Sequence, residues 1–250
     1  MSYESFAYLY DRLMVEAPYD EWLEFFERTA KVFNVENNRI LEVGSGTGEL
    51  LLRLCERGYE VCGVDLSTDM LSVAREKLYG NGYQPFLVEQ DMRELDLGMT
   101  FSSILVFCDS LNYLLSEEDV LQAFCQFYSH LDVSGLLLFD VHSVNKIEQG
   151  FMNQTFADAG EEISYIWQSF VSKAEYGVEH ELTFFVRRSD DVFERFEELH
   201  IQRTFSIEKY KELLERAGFV VLKIVADFEH EVSEESERIF FVAQKQETVK

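Results

Sequence analysis

Three glycines alternate with small polar residues directly after a short apolar stretch. Residues 39–43 have the apolar character of a short buried strand, Gly44, Gly46 and Gly48 follow, and the segment from Leu50 has the pattern of a helix. Glycine lacks a Cβ atom, so the backbone can bend sharply and a ligand can lie against it. The first turn of a helix adds unpaired backbone N–H groups. A strand, a glycine turn and a helix in this order predict a corner that binds a nucleotide-like ligand.

The spacing of the glycines restricts which nucleotide can bind. The dinucleotide fingerprint G-x-G-x-x-G requires a third glycine where this chain has Glu49. The phosphate-binding loop G-x-x-x-x-G-K-[ST] does not occur in the sequence. A carboxylate at the mouth of the corner would also repel a pyrophosphate. The pattern therefore favours a nucleotide-like ligand without a pyrophosphate.

A second carboxylate stands at the end of the next predicted strand. Asp65 ends the run of residues 60–64, about 20 residues beyond the first glycine, a spacing at which an acidic side chain meets ribose hydroxyls. Asp65 could instead serve only to open the helix that begins at residues 67–69. Together with the glycine turn, its position favours the role of a ribose-binding residue.

The pattern E-x-G-x-G-x-G from Glu42 to Gly48 resembles motif I of the class I S-adenosylmethionine-dependent methyltransferases. The ligand of that family carries a sulfonium cation and an amino group, so an acidic mouth suits it. In the family, the acid at the position of Asp65 holds both ribose hydroxyls. An acidic residue after the third strand accepts a hydrogen bond from the adenine amino group, and Asp91 and Met92 match that place and type. The resemblance is closest to small-molecule enzymes of the glycine N-methyltransferase-like kind, and it implies S-adenosyl-L-methionine as the cofactor.

The end of the fourth predicted strand is where the methionine part of this cofactor and the acceptor should meet. Asp109 could pair with the ligand ammonium or with an acceptor amine, and Tyr113 could reach the ligand carboxylate. Alternatively, Ser110 and Asn112 are turn residues and Tyr113 belongs to the core. The resemblance predicts a cofactor site that consists of Tyr3, Tyr10, Glu42, Gly44, Gly46, Gly48, Asp65, Leu66, Asp91, Met92, Phe107 and Tyr113.

His142 ends the fifth predicted strand and is the best-placed general base. Methyl transfer is an in-line displacement at an activated carbon, so the protein has mainly to align two groups and to remove a proton. Histidine titrates near neutral pH, which suits this role, although a single histidine is often only structural. His142 and Asp109 are the predicted catalytic residues, His200 is a weaker second candidate, and no metal site is predicted.

The absence of two motifs restricts the chemical class of the methyl acceptor. The chain has only two prolines, Pro18 and Pro85, so it lacks the [DN]-P-P-[FYW] motif of amino methylation on nucleic-acid bases and the Pro-Cys nucleophile of cytosine C5 methylation. Glycine-specific relatives carry an arginine where this chain has His142, so glycine and sarcosine are not expected acceptors. The aromatic residues of 145–205 favour an uncharged or cationic small molecule. Two alternatives remain: a non-catalytic S-adenosylmethionine-binding module that acts through a protein partner and, less favoured, an NAD-dependent oxidoreductase.

The elements that must position these residues alternate between strand and helix. Such alternation predicts an α/β, Rossmann-like fold with a mostly parallel seven-stranded sheet, helices on both faces and an antiparallel last strand. An amphipathic helix over residues 20–33 is expected to cover the sheet edge. Core strands are predicted at 39–43, 60–64, 84–89, 101–107 and 134–141, with helices at 48–57, 68–79 and 117–131.

Residues 145–205 break the alternation and predict an antiparallel β insertion after the fifth strand. We expect one domain, 1–250, in which the insertion roofs the substrate side and residues 1–37 form a lid and a helix. The insertion could instead serve a dimer contact, and the N-terminal tyrosines could simply pack on the core.

The composition restricts the kinds of partner that the protein is expected to bind. The 250 residues include 47% hydrophobic residues and carry a formal charge of −25, which argues against a nucleic-acid partner. The sequence shows neither a membrane-length apolar run nor an N-terminal signal, and its four cysteines form no C-x-x-C pair. These observations predict a cytoplasmic protein without a membrane partner, with a homodimer as a possible assembly.

Overall fold

The computed structural model describes residues 6–35, 39–189 and 192–246, without the side chains of Phe6 and Tyr8. The helices are α1 (Phe6–Leu13), α2 (Tyr19–Val32), α3 (Glu49–Glu56), α4 (Thr68–Gly80), α5 (Glu117–His130) and α6 (Ile207–Arg216). The strands are β1 (Arg39–Val43), β2 (Glu60–Asp65), β3 (Phe86–Glu89), β4 (Phe101–Val106), β5 (Leu131–His142), β6 (Thr155–Ala159), β7 (Ile163–Val171), β8 (Gly177–Ser189), β9 (Val192–Arg203), β10 (Phe219–Ala226) and β11 (Arg238–Lys245). No described helix combines the length and the apolar run that crossing a bilayer requires.

Seven strands form the main sheet in the order β10-β11-β5-β4-β1-β2-β3. The pairs β1–β2, β1–β4, β2–β3 and β4–β5 are parallel, whereas β11 runs antiparallel to both of its neighbours. The predicted Rossmann-like α/β fold with an antiparallel last strand is confirmed. The strand order reverses between β1 and β4, so the loops that follow these two strands flank a crevice at the carboxyl edge of the sheet.

Strand residues alternate between two apolar layers on opposite faces of this sheet. In β1, Ile40 packs in the layer covered by α2, α3 and α4, whereas Leu41 and Val43 pack in the layer covered by α5 and α6. The alternation follows from the period of two along a strand. Helices on both faces therefore hold the carboxyl ends of the parallel strands in fixed positions.

Helix α2 lies on a face of the sheet, and the prediction that it covers the edge is wrong. The ring centroid of Phe25 lies 4.9 Å from that of Phe240 in β11 and 6.3 Å from that of Phe107 after β4. The helix buries six residues along one side, and a stripe of this width requires a sheet face to be covered.

The insertion after β5 is a four-stranded antiparallel sheet in the order β6-β7-β8-β9, as predicted. Its last strand returns to the end of β5, where the Thr204 hydroxyl donates a hydrogen bond to the carbonyl oxygen of His142 at 2.6 Å. The Asn112 amide also donates to the carbonyl oxygen of Arg203 at 2.8 Å. These bonds anchor the antiparallel sheet beside the carboxyl ends of β4 and β5. The division of residues 1–250 into a lid, a core and a substrate-side roof stays a prediction.

Candidate active site

The glycine loop after β1 presents open backbone to the crevice. Gly46 has φ +52°, and a Cβ atom built on it would have no heavy atom within 4 Å among the described residues. Its N–H donates a 2.7 Å hydrogen bond to Oδ2 of Asp65. At Gly44, a Cβ atom would instead collide with Oγ of Ser110. Gly44 thus permits close packing of two loops, whereas Gly46 leaves free space above the backbone in which a ligand can lie.

Asp65 links the ends of β1 and β2. Its second carboxylate oxygen accepts the N–H of Ser67 at 2.8 Å, and the Ser67 hydroxyl caps α4 by accepting from Met70 N–H at 3.3 Å. Burial raises the pKa of Asp65, and these backbone hydrogen bonds oppose that rise. A carboxylate oxygen can accept more than one hydrogen bond, so the ribose role stays compatible with both contacts. Leu66, next to Asp65, has an exposed side chain.

Two buried polar atoms beside the glycine loop lack hydrogen-bond partners among the described residues. They are Oε2 of Glu42 and Oγ of Ser45. Burial, followed by the charge of Asp65, raises the pKa of Glu42 well above its usual value. Buried polar groups are normally paired, so an unpaired carboxylate oxygen here fits a ligand that brings a cation or a donor group. These residues therefore fit S-adenosylmethionine, which carries both a sulfonium and an ammonium.

The acidic character of the crevice does not come from Glu49. Its carboxylate lies 2.6 Å from Nζ of Lys77 and 2.6 Å from a guanidinium nitrogen of Arg53. This carboxylate is therefore paired with two cations of the protein. Glu42, Asp65 and Asp109 contribute acidic groups at the carboxyl edge.

Helix α1 is attached to the glycine loop by Asp11. The Asp11 carboxylate lies 2.6 Å from Nζ of Lys77 and also accepts a hydrogen bond from the Thr47 hydroxyl. Burial raises the pKa of Tyr10 in the same helix, and the neighbouring groups Cys108 and Asp109 add to the rise. The N-terminal helix thus borders the crevice. Tyr3 lies outside the described residues, and the cofactor contacts of both tyrosines stay predictions.

On the predicted adenine side, Asp91 is bound by its own neighbour. Nε of Arg93 lies 3.0 Å from Oδ1 of Asp91, and Nη2 lies 2.6 Å from Oδ2, which lowers the pKa of Asp91. The same guanidinium donates to Asp119 at the start of α5 at 2.7 Å. Met92 is partly buried against the core. An adenine amino group would have to share the Asp91 carboxylate with Arg93.

The residues after β4 divide into core, turn and site residues. The ring of Phe107 is only 3% exposed and packs with Phe25 and Phe240, so only its backbone can face a cofactor. Tyr113 is 47% exposed, and its hydroxyl lies 2.9 Å from Nδ1 of His200. The alternative that placed Tyr113 in the core is therefore wrong. Asn112 is more than a turn residue, because its buried side chain also accepts the N–H of His142 at 2.9 Å.

Asp109 and His142, the predicted catalytic pair, lie together. Oδ2 of Asp109 is 3.3 Å from Nε2 of His142 and accepts a hydrogen bond from the Gln202 amide at 2.8 Å. Oδ1 accepts from Arg238 at 3.0 Å. Burial alone would raise the pKa of Asp109, but the charges of His142 and Arg238 hold it well below its usual range. Asp109 has φ +50°, which is uncommon for a non-glycine residue, so the surrounding contacts must stabilise this backbone conformation.

Behind this pair, Arg238 joins Asp109 to Asp140. The guanidinium contacts the fully buried Asp140 carboxylate and lies 5.5 Å from the ring centroid of Trp22. Sequence analysis missed Arg238, Asp140 and Gln202. Of these three residues, only Asp140 is indicated by the sequence pattern, because a charged residue interrupts the apolar run of β5.

A buried histidine, also missed by sequence analysis, lies in the antiparallel sheet. Nδ1 of His180 is 3.0 Å from Nε1 of Trp167 and 2.8 Å from Oγ of Ser169, while Nε2 has no hydrogen-bond partner among the described residues. Burial lowers the pKa of His180 to about 4, and the nearby His142 and His200 contribute. The antiparallel sheet therefore places a neutral imidazole close to the catalytic pair at physiological pH.

Replacement of His180 by glutamine should weaken the acid sensitivity of the fold. Between about pH 6.5 and pH 4 the unfolded chain binds a proton that the folded chain excludes, so stability falls as the pH falls through this window. The free energy of unfolding of the wild type should fall by roughly 2 kcal/mol between pH 8 and pH 5 because of His180. Chemical denaturation at several pH values measures this loss. His230→Gln, at an exposed histidine, is the control. The prediction would be contradicted if the free energy of unfolding changed with pH equally in the wild type and in His180→Gln.

The comparisons with known proteins agree with this geometry. Residues 40–135 match the Methyltransferase domain family. A provisionally named methyltransferase from Geobacillus sp. (strain WCH70) is 50% identical over 98% of this chain and 100% of its own length. A solved structure of an S-adenosylmethionine-dependent methyltransferase from Clostridium acetobutylicum ATCC 824 has a TM-score of 0.89 at 29% identity and covers 98% of this chain and 99% of its own. The dTDP-3-amino-3,4,6-trideoxy-alpha-D-glucopyranose N,N-dimethyltransferase of Streptomyces venezuelae is 31% identical over 49% of this chain and 47% of its own length.

The fold and the glycine-loop corner define the class I methyltransferase type. The chain belongs to the S-adenosylmethionine-dependent methyltransferases, and it is an enzyme that uses S-adenosyl-L-methionine. The alternatives of a non-catalytic binding module and of an NAD-dependent oxidoreductase are therefore not retained.

Proposed function

We propose that this enzyme methylates a small molecule held between the carboxyl ends of β4 and β5 and the antiparallel sheet, with His142 as the proton acceptor. The observation that carries the proposal is the 3.3 Å contact between Nε2 of His142 and Oδ2 of Asp109. This contact lies at the edge of the main sheet where the class binds cofactor and acceptor. The name of the Streptomyces venezuelae relative, an amino-sugar N,N-dimethyltransferase, supports an acceptor of small-molecule size.

The surroundings of His142 restrict both its position and its tautomer. Its backbone N–H and carbonyl are bound by Asn112 and Thr204, and its ring packs edge-on against Phe151 with centroids 5.1 Å apart. If Nε2 carries the hydrogen, it donates to Asp109, and Nδ1 keeps a lone pair that can accept a proton. This tautomer is assigned from the contact geometry. Asp109 then orients the imidazole and stabilises the imidazolium that proton transfer produces.

The chemistry of methyl transfer determines what the cofactor supplies and what the protein residues must do. S-adenosylmethionine supplies a methyl carbon activated by its sulfonium, and the bond from the acceptor forms as the carbon–sulfur bond breaks. The chain has to align the acceptor, exclude water and take up a proton if the acceptor atom carries one. Asp109 has all of its described contacts to protein donors, namely His142, Gln202 and Arg238. It therefore serves as a positioning residue for His142 in this proposal.

Incubation of the enzyme with S-adenosyl-L-methionine and a panel of small primary amines, phenols and thiols tests the proposal. We expect S-adenosylhomocysteine to form together with a methylated product of at least one acceptor class, both detected by mass spectrometry. The cofactor-site variant Gly46→Val serves as the blank. If calorimetry shows that S-adenosyl-L-methionine binds while no member of the panel is methylated, the small-molecule assignment is wrong.

A further inference from the structure

The register of β7, β8 and β9 arranges side chains in rows across the inner face of the antiparallel sheet. This face is identified by His200, which bonds to Tyr113, and by Gln202, which bonds to Asp109. Because side chains alternate with a period of two, Glu198 lies on the same face. The three rows are Ser169–His180–His200, Trp167–Leu182–Glu198 and Tyr165–Phe184–Phe196.

These rows contain aromatic side chains, two histidines and one carboxylate, but no lysine or arginine. By the same alternation, Arg187, Arg195 and Arg203 belong to the opposite face of the sheet. Arg188 lies beyond the third row, where it pairs with Glu194 and covers the ring of Phe196. Within the three rows the inner face is thus acidic and aromatic. A surface of this kind attracts cationic groups and repels carboxylates and phosphates.

Glu198 is the carboxylate of these three rows. It is half-buried, and burial raises its pKa. Among the described residues it has no hydrogen-bond or ion-pair partner, whereas its neighbour Glu197 on the opposite face is paired with Arg195. A half-buried carboxylate loses hydration without gaining a counter-ion, which is unfavourable unless a cationic ligand supplies one.

Tyr113 connects Glu198 to the catalytic pair and to the cofactor crevice. Burial raises the pKa of the Tyr113 hydroxyl, and the charges of Asp109, Asp65 and Glu198 raise it further. The hydroxyl lies 2.9 Å from Nδ1 of His200, which stands one row from Glu198 on the same face of β9. Glu198 therefore lies on the face of β9 that contacts Tyr113 through His200 and Asp109 through Gln202.

We propose that Glu198 determines acceptor specificity by binding a cationic group of the acceptor, so that the substrate class is a small amine with a second positive charge. The inference rests on the proposed function, because it assumes that the acceptor lies between His142 and the antiparallel sheet. Trp167 stands in the same row as Glu198. Aromatic faces beside a carboxylate form a favourable site for an ammonium group. Acceptors with a carboxylate or a phosphate at the same place are disfavoured.

Three probes with one skeleton and different distal groups test the proposal. They are p-xylylenediamine, 4-methylbenzylamine and 4-(aminomethyl)benzoate, titrated by calorimetry into the enzyme saturated with S-adenosylhomocysteine. The diamine should bind about tenfold more tightly than 4-methylbenzylamine, as expected for one hydrogen-bonded charge contact, and the benzoate should bind most weakly. Glu198→Gln should abolish the preference for the diamine. Glu197→Gln removes a carboxylate from the adjacent position on the opposite face and should leave the preference unchanged.

Each contrary result overturns the assignment of Glu198. Equal or tighter binding of the benzoate would show that the inner face does not select cations. A diamine preference that persists in Glu198→Gln, or no binding of the diamine at millimolar concentration, would remove Glu198 from acceptor recognition. Probe binding does not require turnover, so failure of the proposed methylation would appear separately, as the expected probe ranking without any methylated acceptor.

Discussion

Valine in place of Gly46 is expected to lower the affinity for S-adenosyl-L-methionine by about 100-fold or more. The new side chain would project into the free space above the glycine loop, where no described protein atom lies within 4 Å of a Cβ. Overlap of a branched side chain with a bound ligand costs ~3 kcal/mol at the upper end of the usual range for overpacking, which corresponds to this change in affinity. Isothermal titration of the purified variant measures the effect directly.

Gly58→Val is the matched control for this experiment. Gly58 also has a positive φ, +86°, and a Cβ on it would also meet nothing within 4 Å, but it follows the C-terminal end of α3. Both valines impose a similar backbone strain of about 1–2 kcal/mol, so the two variants should lose similar thermal stability. Only Gly46→Val should lose the cofactor. Similar cofactor affinities in the two variants would mean that the cofactor does not lie against Gly46.

Replacement of His142 by glutamine is expected to lower kcat by about 10²- to 10⁴-fold, the usual contribution of a positioned proton acceptor. The affinity for S-adenosyl-L-methionine should stay within about twofold of the wild type, because the proposed role of His142 is in proton transfer and not in cofactor binding. The backbone bonds from Asn112 and Thr204 do not depend on the imidazole, so the end of β5 should keep its position. Steady-state kinetics with an acceptor identified in the screen, together with cofactor titration, separate the two effects.

A second histidine provides the control for His142. His200→Gln removes the weaker candidate, whose ring nitrogen bonds to Tyr113, and should reduce kcat less than tenfold. A decrease in kcat below tenfold in His142→Gln would show that the proton leaves by another route.

The contacts of Asp109 explain why the catalytic pair could be named from the sequence but not assembled from it. The carboxyl ends of parallel strands meet at one edge of a sheet, so Asp109 after β4 and His142 at the end of β5 could be expected to be neighbours. Their supporting residues come from distant segments. Gln202 belongs to the inserted sheet, and Arg238 begins the last strand, 129 residues beyond Asp109. No local pattern indicates pairings of this kind.

Charge pairing is another property that the order of residues in the sequence does not show. Glu49 has the sequence position of a carboxylate at the mouth of the crevice, yet Lys77 from α4 and Arg53 one helical turn away neutralise it. Glu198 and Glu197 are adjacent in the chain, but the alternation of a strand places only Glu197 beside an arginine. Which carboxylates are available to a ligand is therefore decided by packing between elements.

The sequence alone determined the class of this protein, because its signals are local. The glycine spacing after β1, Asp65 at the end of β2, and the alternation of strands and helices each act within a few residues, where backbone sterics and hydrophobic periodicity decide the conformation. Only the tertiary structure decided which side chains surround His142, because the antiparallel sheet and β11 reach it through hydrogen bonds and charges between residues about 60 to 130 positions apart. Such contacts depend on how the whole chain packs and have no period that a sequence can display.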